Sequence, residues 1–265
     1  MKLSSAETEL KLALPPMASD SLFSLPALKG SGPGEPKSRR IVTTYYESAD
    51  KDLERQGLTL RVRQVDGQRI QTVKATGDAG VAQSRGEWEW PVESETPDLG
   101  LLKETPIADR VAGMSEGSLK PAVVTDVVRT TQTVEVEDSV VEAALDLGSI
   151  ITGDKQQPVR ELELELRRGK PGSIYRLALE LTSIIPFEIE VESKAARGFR
   201  MKEGSPPQTH KPSSPTLDPD APAVQGLRQI IEETLGHLLA NRAAALAGDA
   251  GGVHQVRIGV RRIRS

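Results

Sequence analysis

The chain has 265 residues, which is room for one medium domain and part of another. Hydrophobic residues make up 37% of it and aromatic residues only 3%, so its core must be built mainly from Leu, Val, Ile and Ala. The absence of cysteine excludes disulfides, thiolate metal sites and a cysteine nucleophile, and the formal net charge of −4 is too small to indicate a nucleic acid or membrane partner.

The N-terminus becomes polar at once and has no apolar core of a signal peptide. No run of the sequence reaches the roughly 20 apolar residues that a membrane helix needs. We therefore expect a soluble, cytoplasmic protein.

Residues 6–14 alternate charged and apolar side chains, which predicts a β-strand with two unlike faces. Glu7, Glu9 and Lys11 would share one face, and the leucines between them would share the other. A charged, solvated edge strand would give the same pattern. The functional interpretation depends on the recurrence of this pattern along the chain.

Further strands are predicted by alternation or by β-branched composition, over residues 40–46, 58–65, 69–74, 85–90, 122–137, 140–147, 160–166 and 187–191. The dipeptide Asp66-Gly67 predicts a hairpin turn between two of them. The segment 122–137 is long enough for one bent strand or two short ones. Helical segments are predicted over 20–28 (with Asp20 or Ser21 as N-cap), 52–56, 97–113 and 173–184, and a polar turn over 193–199.

The second half of the chain indicates a domain boundary. Residues 202–222 contain six prolines, which is typical of an extended linker, and they separate a first domain over 1–201 from a helical segment over 223–265. A first helix is predicted over 223–246 and a second from Val253. Since two helices do not make a domain of this kind, we expect the second module to be truncated.

About eight alternating strands fit a small closed barrel. If the charged faces pointed outward, they would be ordinary solvated surface. Against this, the connecting helices have apolar faces that need a sheet surface to cover, and the outer face is the one available. We therefore predict a mainly β (α+β) fold, an eight-stranded antiparallel tunnel with flanking helices, followed by the helical module.

The charges on the predicted inner face separate into two sets. The acidic set is Glu7, Glu9, Asp146, Glu161, Glu163 and Glu165, and the basic set is Lys11, Arg61, Arg63, Lys74, Arg85, Arg129, Lys194 and Arg197. Arg and Lys bind phosphate oxygens, and clustered carboxylates bind Mg²⁺ or Mn²⁺. Without such a guest, we expect the like charges to repel and to shift their pKa values toward neutrality.

Several stretches, taken together and in order, carry a family resemblance. Glu7-Thr8-Glu9-Leu10-Lys11 resembles the ExExK signature of the CYTH superfamily, the triphosphate tunnel metalloenzymes. The others are Tyr45-Tyr46-Glu47-Ser48, Leu60-Arg61-Val62-Arg63, Gln71-Thr72-Val73-Lys74, Arg85-Gly86-Glu87-Trp88-Glu89, Ala144-Leu145-Asp146, Glu161-Leu162-Glu163-Leu164-Glu165 and Ser193-Lys194-Ala195-Ala196-Arg197. The tail from Val253 to Arg264 resembles the opening of a CHAD domain, a helical module associated with polyphosphate.

The resemblance implies an enzyme of the bacterial inorganic triphosphatase type, which uses Mg²⁺ or Mn²⁺ to hydrolyse inorganic triphosphate to diphosphate and phosphate. The basic set, Lys11 included, would bind the phosphate chain, and the acidic set would hold the metal. Instead of binding phosphate, Lys11 would alternatively orient a water molecule beside Glu9. Lys11 and Glu9 are therefore the predicted catalytic residues.

Three alternatives stay open at the level of sequence. The tunnel could act on an organic triphosphate, as thiamine triphosphatases and adenylate cyclases do, or it could bind polyphosphate without turnover. The Arg-rich tail could be a polyanion-binding stripe or a solvated helix face. Nucleic acid is a poor fit, because carboxylates interleave with the basic residues. Glu188, Glu190 and Glu192 also alternate, and we expect them to face solvent, with a contribution near Lys194 as the open alternative.

Overall fold

The computed structural model describes residues 8–16, 22–30, 35–75 and 86–265. The chain divides into two compact units, one ending at Lys202 and the other beginning at Glu203. Within the described ranges, no helix combines the length and apolarity required to cross a membrane.

The described part of the chain contains nine strands and six α-helices, joined by short 3-10 turns. The strands are β1 (Glu9–Ala13), β2 (Lys37–Glu47), β3 (Leu58–Val65), β4 (Gln68–Ala75), β5 (Gly86–Val92), β6 (Lys120–Val136), β7 (Ser139–Thr152), β8 (Lys155–Arg168) and β9 (Glu188–Ile189). The helices are α1 (Asp52–Arg55), α2 (Ala108–Val111), α3 (Gly172–Thr182), α4 (Lys194–Glu203), α5 (Ala223–Leu246) and α6 (Ala250–Arg264).

All nine strands belong to one antiparallel sheet with the order β5-β4-β3-β2-β6-β7-β8-β1-β9. The prediction of eight strands closed into a barrel is therefore wrong in count and in closure. The physical reason lies at the edges: β9 occupies the free edge of β1 and pairs through only two residues, and among the described residues no ladder joins β9 to β5. In place of a closed tunnel, the described residues form an open sheet with one charged face.

The central strands are longer than the sequence pattern indicates. Of the two possibilities for residues 122–137, one continuous strand is correct, and β7 and β8 extend beyond the predicted 140–147 and 160–166. The hairpin between them turns at Gly153, whose φ of 58° suits a residue without a Cβ. Pairing with neighbours on both sides extends these strands past the residues that alternate clearly.

The apolar face of the sheet is covered by helices, as predicted. At one end, the leucines of β1 and β8 pack against Ile174, Leu177 and Leu181 of α3. At the other end, β3, β4 and β5 pack against α1, α2 and the 3-10 turn Leu99–Glu104, and Trp88 is buried there. Trp88 thus packs against outer helices, as the alternation of β5 indicates.

The opposite face carries the charges, but one end of it is apolar and covered by α4. Ile41, Val127 and Ile150 form a small core with Ala195 and Phe199 of this helix. The prediction of a polar turn over 193–199 is wrong, because α4 begins at residue 194 and its apolar side packs on the sheet. This contact places the first turn of α4 over the charged strands.

Two other helical predictions are only partly correct. Residues 22–28 form two 3-10 turns rather than one helix, because Pro26 interrupts the backbone hydrogen bonding, and the predicted caps Asp20 and Ser21 lie outside the described residues. The segment 97–113 is likewise divided into a 3-10 turn and the short helix α2.

The second unit is a helical hairpin with the proline-rich segment laid against it. Asn241 of α5 is fully buried and hydrogen-bonds both backbone groups of His210, at 2.8 Å to its N–H and 2.9 Å to its carbonyl. The ring of His237 lies 3.1 Å from the same carbonyl. His210 and His237 therefore have structural contacts. Helix α6 begins three residues before the predicted Val253.

The position of α4 depends on Gly198, which generates a testable prediction. A Cβ built there would lie 2.2 Å from Val123 and 3.0 Å from Ile150, so Gly198→Ala should push α4 off the sheet and destabilise the protein by about 1–3 kcal/mol in chemical denaturation. Gly172→Ala is the matched control, because nothing lies within 4 Å of its Cβ position. Equal stability of the two variants would contradict this account of α4.

Candidate active site

The carboxylates of the site come from adjacent strands in direct register. Glu161 of β8 lies opposite Asp146 of β7, which in turn lies opposite Arg129 of β6. Glu163, two residues along β8, faces Lys11 of β1. Since directly paired residues project to the same face, the register brings these side chains together.

Lys194, the first residue of α4, lies at the centre of this group. Its ammonium nitrogen is 2.9 Å from Asp146 Oδ2, 2.6 Å from Glu161 Oε2 and 2.8 Å from Glu163 Oε1. Asp146 and Glu161 are buried, and the Lys194 side chain is 13% exposed. Three carboxylate oxygens from two strands therefore converge on one point.

Two arginines complete the cluster. Arg129 donates through Nε and Nη2 to Asp146, both at 2.7 Å, and through Nη2 to Glu163 at 2.5 Å. Arg197, one turn along α4 from Lys194, pairs with Glu161 and lies 3.4 Å from Glu190. Three cations thus balance the three central carboxylates.

This balance overturns the expectation that clustered carboxylates would shift toward neutrality. Burial alone would raise the pKa of Asp146, but its hydrogen bonds from Arg129 and the charge of Lys194 outweigh burial and hold it below its ordinary value. For Glu163 burial is likewise opposed and outweighed by the charges of Lys194 and Arg129. Burial opposes the charge of Lys194, yet the surrounding carboxylates raise its pKa.

The basic side chains of β3 and β4 project from the same face of the sheet as the carboxylates. Arg61 of β3 pairs in register with Thr72 of β4, and Arg61 Nη2 is 3.7 Å from Glu87 and 3.9 Å from Glu89, both on β5. Lys74 contacts Glu87 more closely, at 3.1 Å. These long arginine contacts leave hydrogen-bonding capacity for another acceptor.

Arg63 lies two residues from Arg61 on β3. Burial is the main cause that lowers its pKa to about 10, and the nearby charges of Arg61 and Arg129 contribute. The Nε atoms of Arg61 and Arg63 are buried, and no described residue accepts a hydrogen bond from either. Both N–H groups are therefore donors without an acceptor among the described residues.

The remaining predicted residues lie at the margin of the cluster or outside the described ranges. Lys11 Nζ is 2.8 Å from Glu9 Oε1, and Glu165 pairs with Arg167 at 2.5 Å. Glu7, predicted as a metal ligand, and Arg85, predicted to bind substrate, lie outside the described residues. Their roles stay predictions.

The donor chemistry of the cluster suits a hard divalent cation, because all three converging atoms are carboxylate oxygens. As arranged, however, the described part of the chain contains no group of three or more His, Asp or Glu side chains that could hold a metal ion. The three oxygens surround the ammonium nitrogen of Lys194 at 2.6–2.9 Å, so this cation occupies the point between them. The donors are of the type that Mg²⁺ prefers, but in this arrangement Lys194 stands in their centre.

Sequence reasoning left two acidic residues without a definite role. Glu190 contacts Arg197, and Glu192 binds Arg200 through two hydrogen bonds of 2.9 and 2.8 Å. The prediction that they face solvent holds for Glu188, which is exposed, whereas Glu190 and Glu192 are half-buried and pair with arginines of α4. The alternation of Glu188, Glu190 and Glu192 indicates that the three side chains share one face. It does not indicate that arginines of α4 would pair with Glu190 and Glu192.

The opposed pKa shifts predict how stability depends on pH. Asp146 and Glu163 have lowered pKa values, so their contribution to stability is complete above the ordinary values of 3.8 and 4.5 and is lost as pH falls further. Lys194 has a raised pKa, so its contribution is complete below the ordinary 10.5 and is lost at higher pH. In EDTA, we expect the melting temperature of Lys194→Met to fall less steeply below about pH 4.5 than that of wild type.

The exposed Lys103→Met is the control for that measurement, because its removal changes the net charge equally without touching the cluster. Parallel acid limbs for wild type and Lys194→Met would show that Lys194 does not hold these carboxylates ionised.

Comparison with known proteins agrees with this fold. The CYTH domain model matches residues 5–199. The inorganic triphosphatase of Haemophilus influenzae is 32% identical over 199 residues, which are 73% of this chain and 54% of that protein, so the chain spans about half the length of this relative. Among solved structures, this chain is similar to HpAC1 from Hippeastrum, which is described as an adenylyl cyclase candidate with a dominant triphosphatase activity. The two have a TM-score of 0.52 at 23% sequence identity, and the match covers 75% of this chain and 96% of HpAC1. This likeness shows a shared fold. The chain belongs to the CYTH domain family.

Proposed function

We propose that this chain hydrolyses inorganic triphosphate to diphosphate and phosphate in a reaction that depends on a divalent cation. The observation that carries the proposal is the placement, on one face of one sheet, of three converging carboxylates and two arginines with unsatisfied buried donors. The first group suits a metal ion and the second suits a phosphate chain. The likeness to the Haemophilus influenzae inorganic triphosphatase supports the choice of substrate.

The basic residues would bind and orient the phosphate chain. Arg61 and Arg63 offer planar, multiple donors that match phosphate oxygens, and Lys74 adds a point charge two residues from Thr72 on the next strand. Neutralising the negative charge of the triphosphate in this way would favour attack by water on its terminal phosphorus.

Asp146, Glu161 and Glu163 would hold Mg²⁺ or Mn²⁺, with Glu9 and Glu165 at the margin of the cluster. When bound, the cation supplies charge neutralisation on the phosphate oxygens. The pair of Glu9 and Lys11, 2.8 Å apart on β1, would orient the attacking water. Water then breaks the terminal phosphoanhydride bond, and diphosphate leaves.

The positions of the two tryptophans favour an inorganic substrate over a nucleotide or thiamine ester. Trp88 is buried on the apolar face of the sheet, and Trp90 packs against the same core. Neither is available on the charged face to stack on a base. An organic triphosphate would therefore lack an aromatic platform from the tryptophans.

We also propose that residues 223–265 are CHAD-like and bind polyphosphate. Helix α6 ends in Arg261, Arg262 and Arg264 and has no acid in its first turn. The proposal rests on this arginine content and on the sequence resemblance of the tail.

The first test compares phosphate release from inorganic triphosphate, ATP and thiamine triphosphate in Mg²⁺, Mn²⁺ or EDTA. We expect turnover to require the metal and to be fastest on inorganic triphosphate. Equal or faster turnover of an organic substrate would transfer the assignment to that substrate. Binding of triphosphate without any release would favour a polyphosphate-binding module.

The second test separates metal from substrate contacts. Glu163→Gln should lower metal-dependent turnover by at least about a hundredfold, because it removes one of the converging carboxylates. Arg61→Ala should raise KM strongly and lower the melting temperature only slightly, because the arginine has only long ion pairs to lose.

Glu180→Gln on the exposed side of α3 is the matched control for the loss of a carboxylate, and Arg40→Ala, which faces away from the site and pairs with Asp126, is the control for the arginine. Unchanged turnover in Glu163→Gln, or unchanged KM in Arg61→Ala, would remove that residue from the site.

A further inference from the structure

The Lys194 ammonium has no donor to spare. An ammonium group carries three N–H donors, and its three contacts, at 2.6, 2.8 and 2.9 Å, each take one. The side chain is only 13% exposed, so solvent cannot easily replace any of them. In this arrangement Lys194 cannot bind a phosphate oxygen.

For Lys194 to bind phosphate, it must release at least one carboxylate of Asp146, Glu161 or Glu163. A buried carboxylate that loses its cation is strongly unfavourable unless another cation replaces it. A divalent cation at the same oxygens would provide that replacement. The ammonium nitrogen and a metal ion would occupy the same point, so the two cannot be bound there together.

The neighbouring arginines are less suited to this exchange. Arg129 is held on a central strand by three hydrogen bonds to two carboxylates, and Arg197 lies buried on the second turn of α4 beside Glu161 and Glu190. Lys194 stands at the first position of α4 and carries a compact charge on a flexible four-carbon chain. It can swing away from the cluster with little change in the backbone.

We propose that Lys194 is an exchangeable counter-cation, which holds the three carboxylates when no metal is bound and moves to the phosphate chain when a divalent cation takes its place. This inference rests on the proposed function. It predicts that metal and triphosphate bind cooperatively, beyond their direct attraction, because each favours the same position of Lys194. Linkage requires the effect to be reciprocal.

The affinity test uses the full chain and Mn²⁺, followed by electron paramagnetic resonance, with and without a non-hydrolysable imido analogue of triphosphate. Without the analogue, Lys194→Met should bind Mn²⁺ roughly tenfold more tightly than wild type, because no ammonium has to be displaced. The analogue should increase Mn²⁺ affinity less in Lys194→Met than in wild type. Equal or weaker Mn²⁺ binding by Lys194→Met would overturn the proposal.

Arg197→Gln is the matched control, since it removes one positive charge beside Glu161 but leaves Lys194 on all three carboxylates. General electrostatics alone would tighten Mn²⁺ binding equally in both variants, and that result would also overturn the proposal. A clearly larger gain in Lys194→Met supports the exchange.

A second measurement needs no variant. Acylation of Lys194 in wild type, followed by mass spectrometry, should increase when Mn²⁺ is added and decrease again with the triphosphate analogue, while the exposed Lys103 stays constant. Mn²⁺ binding without any change at Lys194 would overturn the exchange alone. Absence of Mn²⁺ binding by wild type, even with the analogue, would overturn the metal-dependent function and the exchange together.

Discussion

Three buried or nearly buried carboxylates share one small volume in this protein, and the rest of the site depends on how their charge is compensated. Asp146, Glu161 and Glu163 are each paired with Lys194 or an arginine, and their positive partners equal them in number. Removing one partner from a buried ion pair typically costs about 3–5 kcal/mol. The cluster therefore requires compensating positive charge.

The fold supplies both halves of this arrangement. Strand register places the acidic side chains on one face of the sheet, and the apolar contact of α4 with Ile150 and its neighbours brings Lys194 and Arg197 over them. Gly198 permits the close approach, since a side chain there would collide with Val123. Packing at the apolar end of the face thus determines the electrostatics at its charged end.

The sequence was sufficient for the faces of the strands and for most residues of the cluster, because a period of two assigns each side chain to one side of a sheet. It was insufficient for closure, since edge pairing depends on distant residues and β9 contributes only two. It also misassigned α4 as a turn, because the charges at 194 and 197 conceal an apolar side that appears only against the sheet. The pairing of Glu190 with Arg197 was not predicted for the same reason, because it depends on helix α4.

The most direct test of the central claim is a crystal structure of the full chain with Mn²⁺ and a non-hydrolysable triphosphate analogue, with the metal located by anomalous scattering. The account predicts a Mn²⁺ peak among the oxygens of Asp146, Glu161 and Glu163, with the phosphate chain running toward Arg61 and Arg63. A Mn²⁺ peak elsewhere, or a phosphate chain away from these arginines, would contradict it.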